Sequence, residues 1–213
     1  MVSAIKNVLT VEAVAITNNI CAKVISPVKL KYMTVNSELA SQHLSVGDGL
    51  QESGNFDEAI AQYQKILALK TDEAVAHSKI AEIYYAQQKY VQALASCYQA
   101  LRQQPDFAAT YKTLGNILQA QGKIDAAIRA YSKAIEFDPN FVEAYVNLGS
   151  MFYKQGRLDD AIMYYHKAIA IQPDLAAAYW NLGKILEQQG RINEALFYQK
   201  KALNLQPELE AIK

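Results

Sequence analysis

Apolar side chains recur along this chain at helical spacing, and the pattern that they form returns every 34 residues. The segment YVNLGSMFYKQG, which starts at Tyr145, places Leu148 and Phe152 on one face of an amphipathic helix. Related segments start at Tyr111 and at Tyr179, each with a glycine at its end and a second amphipathic stretch behind it. A fixed period of this kind is typical of stacked helix pairs. The pattern therefore predicts five helix pairs in unbroken register, over residues 40–73, 74–107, 108–141, 142–175 and 176–209.

Small residues occupy fixed positions inside these predicted helices, and the eighth position of the repeat is glycine in all but the second repeat. A glycine inside a helix costs about 1 kcal/mol relative to alanine, so Gly149 requires a packing reason. Alanine recurs in the second helix, as Ala161 and Ala168 in the fourth repeat. Small facing residues let two antiparallel helices approach closely. We therefore expect Gly149 to face Ala161 and Ala168.

The repeats share a larger set of positions: an aromatic residue or histidine at position 4, leucine and glycine at 7 and 8, alanine at 20, tyrosine at 24 and proline at 32. This combination resembles the tetratricopeptide repeat (TPR) over residues 40–209. The resemblance implies an all-α fold, a right-handed α-solenoid of antiparallel helix pairs that forms a TPR-like superhelix. A few positions depart from the pattern, namely Thr71 for proline, Gln88 for the turn glycine, and Cys97 and Gln199 for tyrosine.

Composition excludes several other classes of protein. Apolar residues make up 51% of the chain, which is enough for a continuous core. The formal net charge is zero, so the surface lacks the excess of cations that nucleic-acid binding requires. No uninterrupted apolar run is long enough to span a membrane. Cys21 and Cys97 lie far apart and form no CxxC motif, which favours a reducing compartment and predicts a cytoplasmic location.

The sequence contains no recognisable catalytic or metal-binding motif. His43 and His77 both fall at position 4, which aromatic residues fill in the other repeats, so we expect them to pack in the core rather than bind a metal. Cys97 takes an interior position and is expected to be a buried, unreactive thiol. We therefore predict no enzyme activity, no metal site and no cofactor.

The N-terminal segment, residues 1–39, does not follow the repeat. Its apolar stretch fits a weak export signal, but a helix over about residues 10–22 that covers the first repeat fits better, because the end of a solenoid must be shielded. Residues 25–36 would then be a linker between this helix and the repeats.

The C-terminal end, residues 210–213, is too short to form the capping helix that repeat arrays usually carry. Leu196 and Leu203 lie seven residues apart on the last predicted helix, and we expect both to be exposed. An exposed apolar surface of this kind usually marks an interface. It favours either a longer polypeptide or self-association through the last helix, and the sequence leaves both open.

The resemblance places the first helix of each repeat along an inner, concave groove, which positions 2, 5, 6, 9, 12 and 13 line. In the last three repeats these positions carry amides, lysines and aromatic rings. An asparagine amide can accept and donate hydrogen bonds together, which suits the unpaired backbone of an extended peptide. Aromatic rings add broad contact area. The candidate peptide-binding residues are Lys112, Asn116, Asn147, Tyr153, Trp180, Asn181 and Lys184.

Two known kinds of TPR site are similar to parts of this surface. Lys112, Asn116 and Asn147 resemble part of the carboxylate clamp that holds C-terminal tails of heat-shock chaperones, but Ala177 and Asn181 replace its further basic residues. Asn147 and Asn181 resemble the asparagine ladder of O-linked N-acetylglucosamine transferase, which grips peptide backbones. The resemblance implies a protein–protein interaction scaffold that binds an extended peptide or partner segment in the concave groove. The alternative is a non-catalytic recruiting arm of a larger glycosyltransferase or methyltransferase.

Overall fold

The computed structural model describes residues 27–212, and these residues form α-helices and one short 3-10 helix, with no strand among them. The 3-10 helix spans Pro207–Ile212. The chain divides into two compact units, Met1–Glu73 and Ala74–Lys213. The helices are α1 Pro27–Glu52, α2 Phe56–Leu69, α3 Glu73–Ala86, α4 Tyr90–Gln103, α5 Ala108–Ala120, α6 Ile124–Phe137, α7 Val142–Lys154, α8 Leu158–Ile171, α9 Ala176–Gln188 and α10 Ile192–Leu205.

The first unit is built on the helix pair α1 and α2, whose core contains Ala59, Tyr63 and Ile66. Helix α1 begins at Pro27, so the prediction of a linker is wrong for residues 27–36. Proline is favoured at the first helical position, and neither glycine nor a second proline interrupts the next 19 residues, 28–46. The helix predicted over residues 10–22 lies outside the described part of the chain.

The second unit repeats one arrangement, in which the two helices of a repeat pack on each other and the second helix packs on the first helix of the next repeat. A core cluster shows how this works in the fourth repeat, where Tyr145, Leu148 and Phe152 of α7 meet Ala161 and the ring of Tyr165 on α8. The predicted all-α solenoid of helix pairs is confirmed. Burial of each apolar helix face between neighbours supplies the stability that a single pair could not.

In the first, third and fourth repeats the glycine at position 8 makes room for a tyrosine ring, a partner that the sequence did not suggest. A Cβ atom built on Gly149 would lie 2.8 Å from Cε1 of Tyr165, far inside van der Waals contact. Gly47 stands in the same relation to Tyr63, with a distance of 2.6 Å. The position-24 tyrosine thus lays its ring against the backbone of the first helix. The predicted partners Ala161 and Ala168 are buried as well, and the three atoms nearest to the Cβ built on Gly149 all belong to the Tyr165 ring. In the fifth repeat, where Gln199 replaces the tyrosine, a Cβ on Gly183 would instead meet Gln199 Cγ at 2.7 Å.

The second repeat changes both members of this contact together. Ala81 replaces the glycine and Cys97 replaces the tyrosine, and the two lie in one buried cluster with Ala93 and Ile117. A larger residue on the first helix is therefore matched by a smaller one on the second. Burial, with a smaller contribution from the charge of Glu82, raises the pKa of the Cys97 thiol to about 12. The prediction of a buried, unreactive cysteine agrees with this environment.

Neighbouring repeats are also joined by a hydrogen bond between a glutamine at position 14 and an aspartate at position 18 of the preceding repeat. Gln155 Nε2 donates to Asp125 Oδ1 over 2.8 Å, and Gln189 Nε2 donates to Asp159 Oδ1 over 3.3 Å. In the second repeat Val91 takes the place of the aspartate.

We expect Val91→Asp to stabilise the protein by about 1 kcal/mol. The new carboxylate would lie in the first turn of α4, where the helix dipole favours a negative charge. It would also stand where Asp125 and Asp159 accept hydrogen bonds, and one such bond contributes about 0.5–1.5 kcal/mol. Val91 is 78% exposed, so little apolar burial is lost. The guanidinium midpoint measured by circular dichroism should rise, and Val91→Asn should recover only part of the gain. A midpoint at or below that of the native chain would contradict the assignment.

Candidate peptide-binding groove

The surface predicted to bind a ligand is carried by the first helices of the last three repeats, α5, α7 and α9. We call it the groove face and define it by Asn116 on α5, by Asn147 and Tyr153 on α7, and by Asn181 and Lys184 on α9. Because these helices begin one repeat apart, equivalent positions on them form rows across the repeats. The structure contradicts the expectation for two of the seven candidate residues, Lys112 and Trp180, and the groove face is defined by the other five, whose role in binding stays a prediction.

The tyrosines at position 24 hold the amides of the groove face in place. The hydroxyl of Tyr131 on α6 lies 2.8 Å from Oδ1 of Asn116 and 2.9 Å from Oε1 of Gln119. Oδ1 of Asn116 also accepts a hydrogen bond from Nδ2 of Asn147 over 3.2 Å. The amides of two neighbouring repeats are therefore linked directly. Burial raises the pKa of Tyr131, so this phenol stays protonated and remains a donor.

A similar contact orders the next amide in the row. The Tyr165 hydroxyl is hydrogen-bonded to Asn181, a contact that partly offsets the burial that raises the pKa of this phenol to about 12. A pocket of about 30 Å³ lies here, and its lining residues are Tyr153, Tyr165, Asn181, Lys184 and Ile185. A space of this size accommodates a water molecule. Of these residues Tyr153 is the large hydrophobic side chain that reaches solvent, with 42% of its surface exposed.

A second, larger pocket lies beside Asn147 on the groove face. Its volume is about 220 Å³, and α7, the turn after α8 and the start of α9 enclose it. Val142, Val146 and Leu175 give it an apolar surface, while Asn147 supplies a polar group. The two asparagines at position 6 of the fourth and fifth repeats therefore each border a pocket.

Lys112 is not available as a free cation. Its ammonium lies 2.8 Å from Oε1 of Glu82 on α3, and the Thr113 hydroxyl donates to the same oxygen over 3.3 Å. Glu82 occupies position 9 of the second repeat and Lys112 position 5 of the third, and these positions are neighbours on adjacent first helices. The cation that a carboxylate clamp would offer to a ligand is thus already paired within the protein.

Trp180 is a core residue, and its prediction as a solvent-facing anchor is wrong. Only 8% of its surface is exposed, and it packs with Tyr179 and Ala202 and with the half-buried Leu203 and Leu209. Leu209 belongs to the 3-10 helix that follows α10, and this short helix covers position 5 of the last repeat. The indole still contacts one residue of the groove face, because Lys184 Nζ lies 5.5 Å from its centroid.

The last helix leaves part of its apolar surface uncovered. Leu196 is 58% exposed, as predicted, and Phe197 beside it is exposed as well. Leu203 is instead half-buried against the cluster around Trp180, so its predicted exposure is wrong. Self-association through this surface stays a prediction, which sedimentation at several protein concentrations tests.

Residues 27–212 contain neither a metal-binding cluster nor a membrane-spanning helix. No group of three or more histidine, cysteine, aspartate or glutamate side chains in this range is arranged to hold a metal ion. His43 is partly buried, with Nδ1 lying 2.9 Å from Oε1 of Gln62. None of the described helices has the length and apolar content needed to cross a bilayer.

The geometry defines an α-helical repeat protein in which the amides of Asn116, Asn147 and Asn181 form a row on the groove face. Comparison with known families identifies the repeat. Models described as tetratricopeptide repeat match residues 50–117 and 141–208, and a model described as TPR repeat matches residues 115–155. The chain belongs to the tetratricopeptide repeat family and is a protein-interaction scaffold. The curated protein sequences yield no match to this chain.

Solved structures of TPR proteins are similar to this fold. A crystal structure of MamA is 30% identical, with a TM-score of 0.63, over 79% of this chain and 98% of that one. PilF of Pseudomonas aeruginosa is 18% identical with a TM-score of 0.74, over 79% of this chain and 77% of its own. YrrB, described as a TPR protein with an unusual peptide-binding site, is 24% identical with a TM-score of 0.58, over 84% of this chain and 92% of its own.

Proposed function

We propose that this scaffold binds an extended segment of a partner protein along the groove face, with the asparagine row as its main-chain contact. The observation that carries the proposal is the anchoring of Asn116 and Asn181 by the hydroxyls of Tyr131 and Tyr165. An amide held in one orientation loses little side-chain entropy when a ligand binds. Pre-organised donors and acceptors at a one-repeat spacing suit the regular backbone of an extended peptide.

The amide groups are matched to a peptide in their remaining hydrogen-bonding capacity. Asn147 uses Nδ2 to donate to Asn116, and its Oδ1 is an acceptor for a ligand N–H. Oδ1 of Asn116 accepts within the protein, and its Nδ2 is a donor for a ligand carbonyl. A peptide backbone presents both kinds of group in alternation, so two neighbouring asparagines can serve one residue of the ligand.

The pockets beside the asparagines set the side-chain preference. The pocket lined by Val142, Val146 and Leu175 favours an aliphatic side chain, because its walls are apolar. Lys184 lies at the edge of the smaller pocket and favours a carboxylate nearby in the ligand. We therefore propose a ligand with an apolar residue near Asn147 and an acidic residue near Asn181, in an otherwise loosely specified sequence.

Replacing Asn147 and Asn181 together with alanine should weaken partner binding by about tenfold or more. Two neutral hydrogen bonds contribute about 0.5–1.5 kcal/mol each, and about 1.4 kcal/mol corresponds to a tenfold change. Partners would be captured from extracts of the native cells with the native chain, and the affinity of each captured partner would then be titrated against both chains. Lys167→Glu on α8 serves as the control and should leave the affinity unchanged.

The stability of the double variant must be measured beside its affinity, because Asn181 satisfies the buried Tyr165 hydroxyl. A folding effect is separated from a binding effect by comparing affinities at a temperature where circular dichroism shows both chains to be fully folded. The proposal is wrong if a fully folded double variant binds the partner as tightly as the native chain does while Lys167→Glu loses binding. Partners would then use another face.

A further inference from the structure

A second surface of the protein differs between repeats in a way that leaves a pocket. Position 23, on the second helix, is tyrosine in the fourth and fifth repeats and alanine, Ala130, in the third. The Tyr164 ring stacks on Phe152, with centroids 5.2 Å apart and an interplanar angle of 13°. The Tyr198 ring stacks on Tyr179 at 6.1 Å and 19°. In both repeats an aromatic ring from the second helix thus covers the aromatic residues of the first.

In the third repeat no ring from position 23 covers the first helix, and Tyr111 instead packs against Phe137 of α6, with ring centroids 5.4 Å apart. A pocket of about 350 Å³ lies over α5 there, between α4 and α6, and Tyr111, Leu114, Leu118 and Ala130 line it. Leu114 and Leu118 are only half-buried, whereas their equivalents at positions 7 and 11 are buried in the fourth and fifth repeats, as Leu148, Phe152, Leu182 and Leu186. The pocket therefore occupies the place of the absent tyrosine ring.

The rim of this pocket is positively charged. Arg129 and Lys133 stand on α6 at its edge. Lys133 pairs with Glu136 over 2.8 Å, while Arg129 forms no ion pair within the described part of the chain. Lys133 Nζ also lies 5.4 Å from the Phe137 centroid, as Lys167 lies 5.4 Å from that of Tyr164 and Lys201 lies 4.4 Å from that of Tyr179. Of the two cations, Arg129 is therefore the one available to a carboxylate or to a ring in the pocket.

We propose that this pocket is a second docking site, which takes an aromatic side chain, flanked by carboxylates, from a partner protein. The ring would pack over Leu114 and Leu118, as Tyr164 covers Phe152 in the fourth repeat, and Arg129 would pair with a neighbouring carboxylate. The pocket shares α5 with the groove face but uses another side of that helix, and none of the residues that define the groove face lines it. A partner could therefore occupy both sites at once, which would raise its overall affinity.

The test uses a synthetic peptide with one tyrosine between acidic residues, and a matched peptide with alanine in its place. Binding is followed through the methyl signals of Leu114 and Leu118 in nuclear magnetic resonance spectra of the full chain. The tyrosine peptide should shift both signals and saturate. The alanine peptide should bind at least about tenfold more weakly than the tyrosine peptide, because a truncated aromatic anchor loses most of its contact.

Variants of the protein identify the pocket as the site. Ala130→Tyr introduces the residue of the sister repeats, so it should fill the pocket and weaken the tyrosine peptide by about tenfold. Arg129→Glu should weaken the same peptide while leaving the pocket open. Met163→Tyr adds a tyrosine to the exposed part of α8 and should change nothing. The groove variant Asn147→Ala with Asn181→Ala should also bind this peptide normally, which keeps the two proposals separable.

Two results would overturn the proposal. One is the absence of any shift at Leu114 and Leu118 with the tyrosine peptide. The other is equal affinity of the native chain and a folded Ala130→Tyr variant. If Ala130→Tyr does not fold, equal binding of the tyrosine and alanine peptides, or unchanged binding in Arg129→Glu, decides against the proposal in the same way.

Discussion

Trp180→Ala should lower the free energy of unfolding by about 3–5 kcal/mol, the usual cost of removing a large aromatic side chain from a core. Only 8% of the Trp180 surface is exposed. Its neighbours Tyr179, Leu203 and Leu209 would therefore be left around a cavity. Circular dichroism is used to follow denaturation, because the substitution removes the only tryptophan of the chain and with it the usual fluorescence probe. Truncation of a groove residue, Tyr153→Ala, is the control and should cost much less.

This result would change how a loss of binding in Trp180→Ala is interpreted. A partner that no longer binds this variant would report on the folding of the last repeat, not on a contact with the indole. Trp180→Phe keeps most of the apolar contact and should recover most of the stability. An unfolding midpoint for Trp180→Ala equal to that of the native chain would show that the indole lies in solvent and contradict the packing described above.

Any side chain at Gly149 should destabilise the protein, although alanine is the better helix former by about 1 kcal/mol. The added Cβ would meet the Tyr165 ring at 2.8 Å, and overpacking of this kind costs about 1–3 kcal/mol. Gly149→Leu should cost more than Gly149→Ala. Gly49 supplies a matched control, because it also lies within a helix but none of the described residues comes within 4 Å of a Cβ built there. Gly49→Ala should therefore stabilise the protein while Gly149→Ala destabilises it.

The second repeat provides a way to test the cause of this effect. Gly149→Ala combined with Tyr165→Cys reproduces the Ala81 and Cys97 pair in the fourth repeat. If the ring is what the glycine accommodates, alanine should cost less beside cysteine than beside tyrosine, and the coupling in a double-mutant cycle should be about 0.5–3 kcal/mol. Additive effects of the two substitutions, or equal responses of Gly49 and Gly149 to alanine, would contradict the contact.

The sequence predicts the helix pairs well because the length of the repeat equals the length of one helix pair. Each repeat must present the same apolar positions to its neighbours, so the registers could be read directly from the chain. The partner of Gly149 could not be read in the same way, because facing alanines and an inserted ring both satisfy the pattern. A signal was nevertheless present: Ala81 and Cys97 depart from the repeat together, as a pair in contact should.

Two site residues, Lys112 and Trp180, were predicted wrongly because their neighbours differ from those at the same position of other repeats. A repeat position has the same environment only where the same residues surround it. Position 5 carries Lys112 in the third repeat and Trp180 in the last. Trp180 is covered by the 3-10 helix that follows α10, and no internal repeat has this element. Lys112 is paired with Glu82 of the preceding repeat. That pairing could have been found by comparing positions 5 and 9 of adjacent repeats.

The most direct test of the groove face is site-specific photo-cross-linking from two positions of the fourth repeat. Tyr153 on α7 and Met163 on α8 are 42% and 41% exposed, so a photoreactive phenylalanine analogue at either position is equally accessible. Only the first lies on the groove face. A partner that the native chain captures should form adducts from position 153 and not from position 163. Adducts from position 163 alone would show that the groove face is not the binding surface.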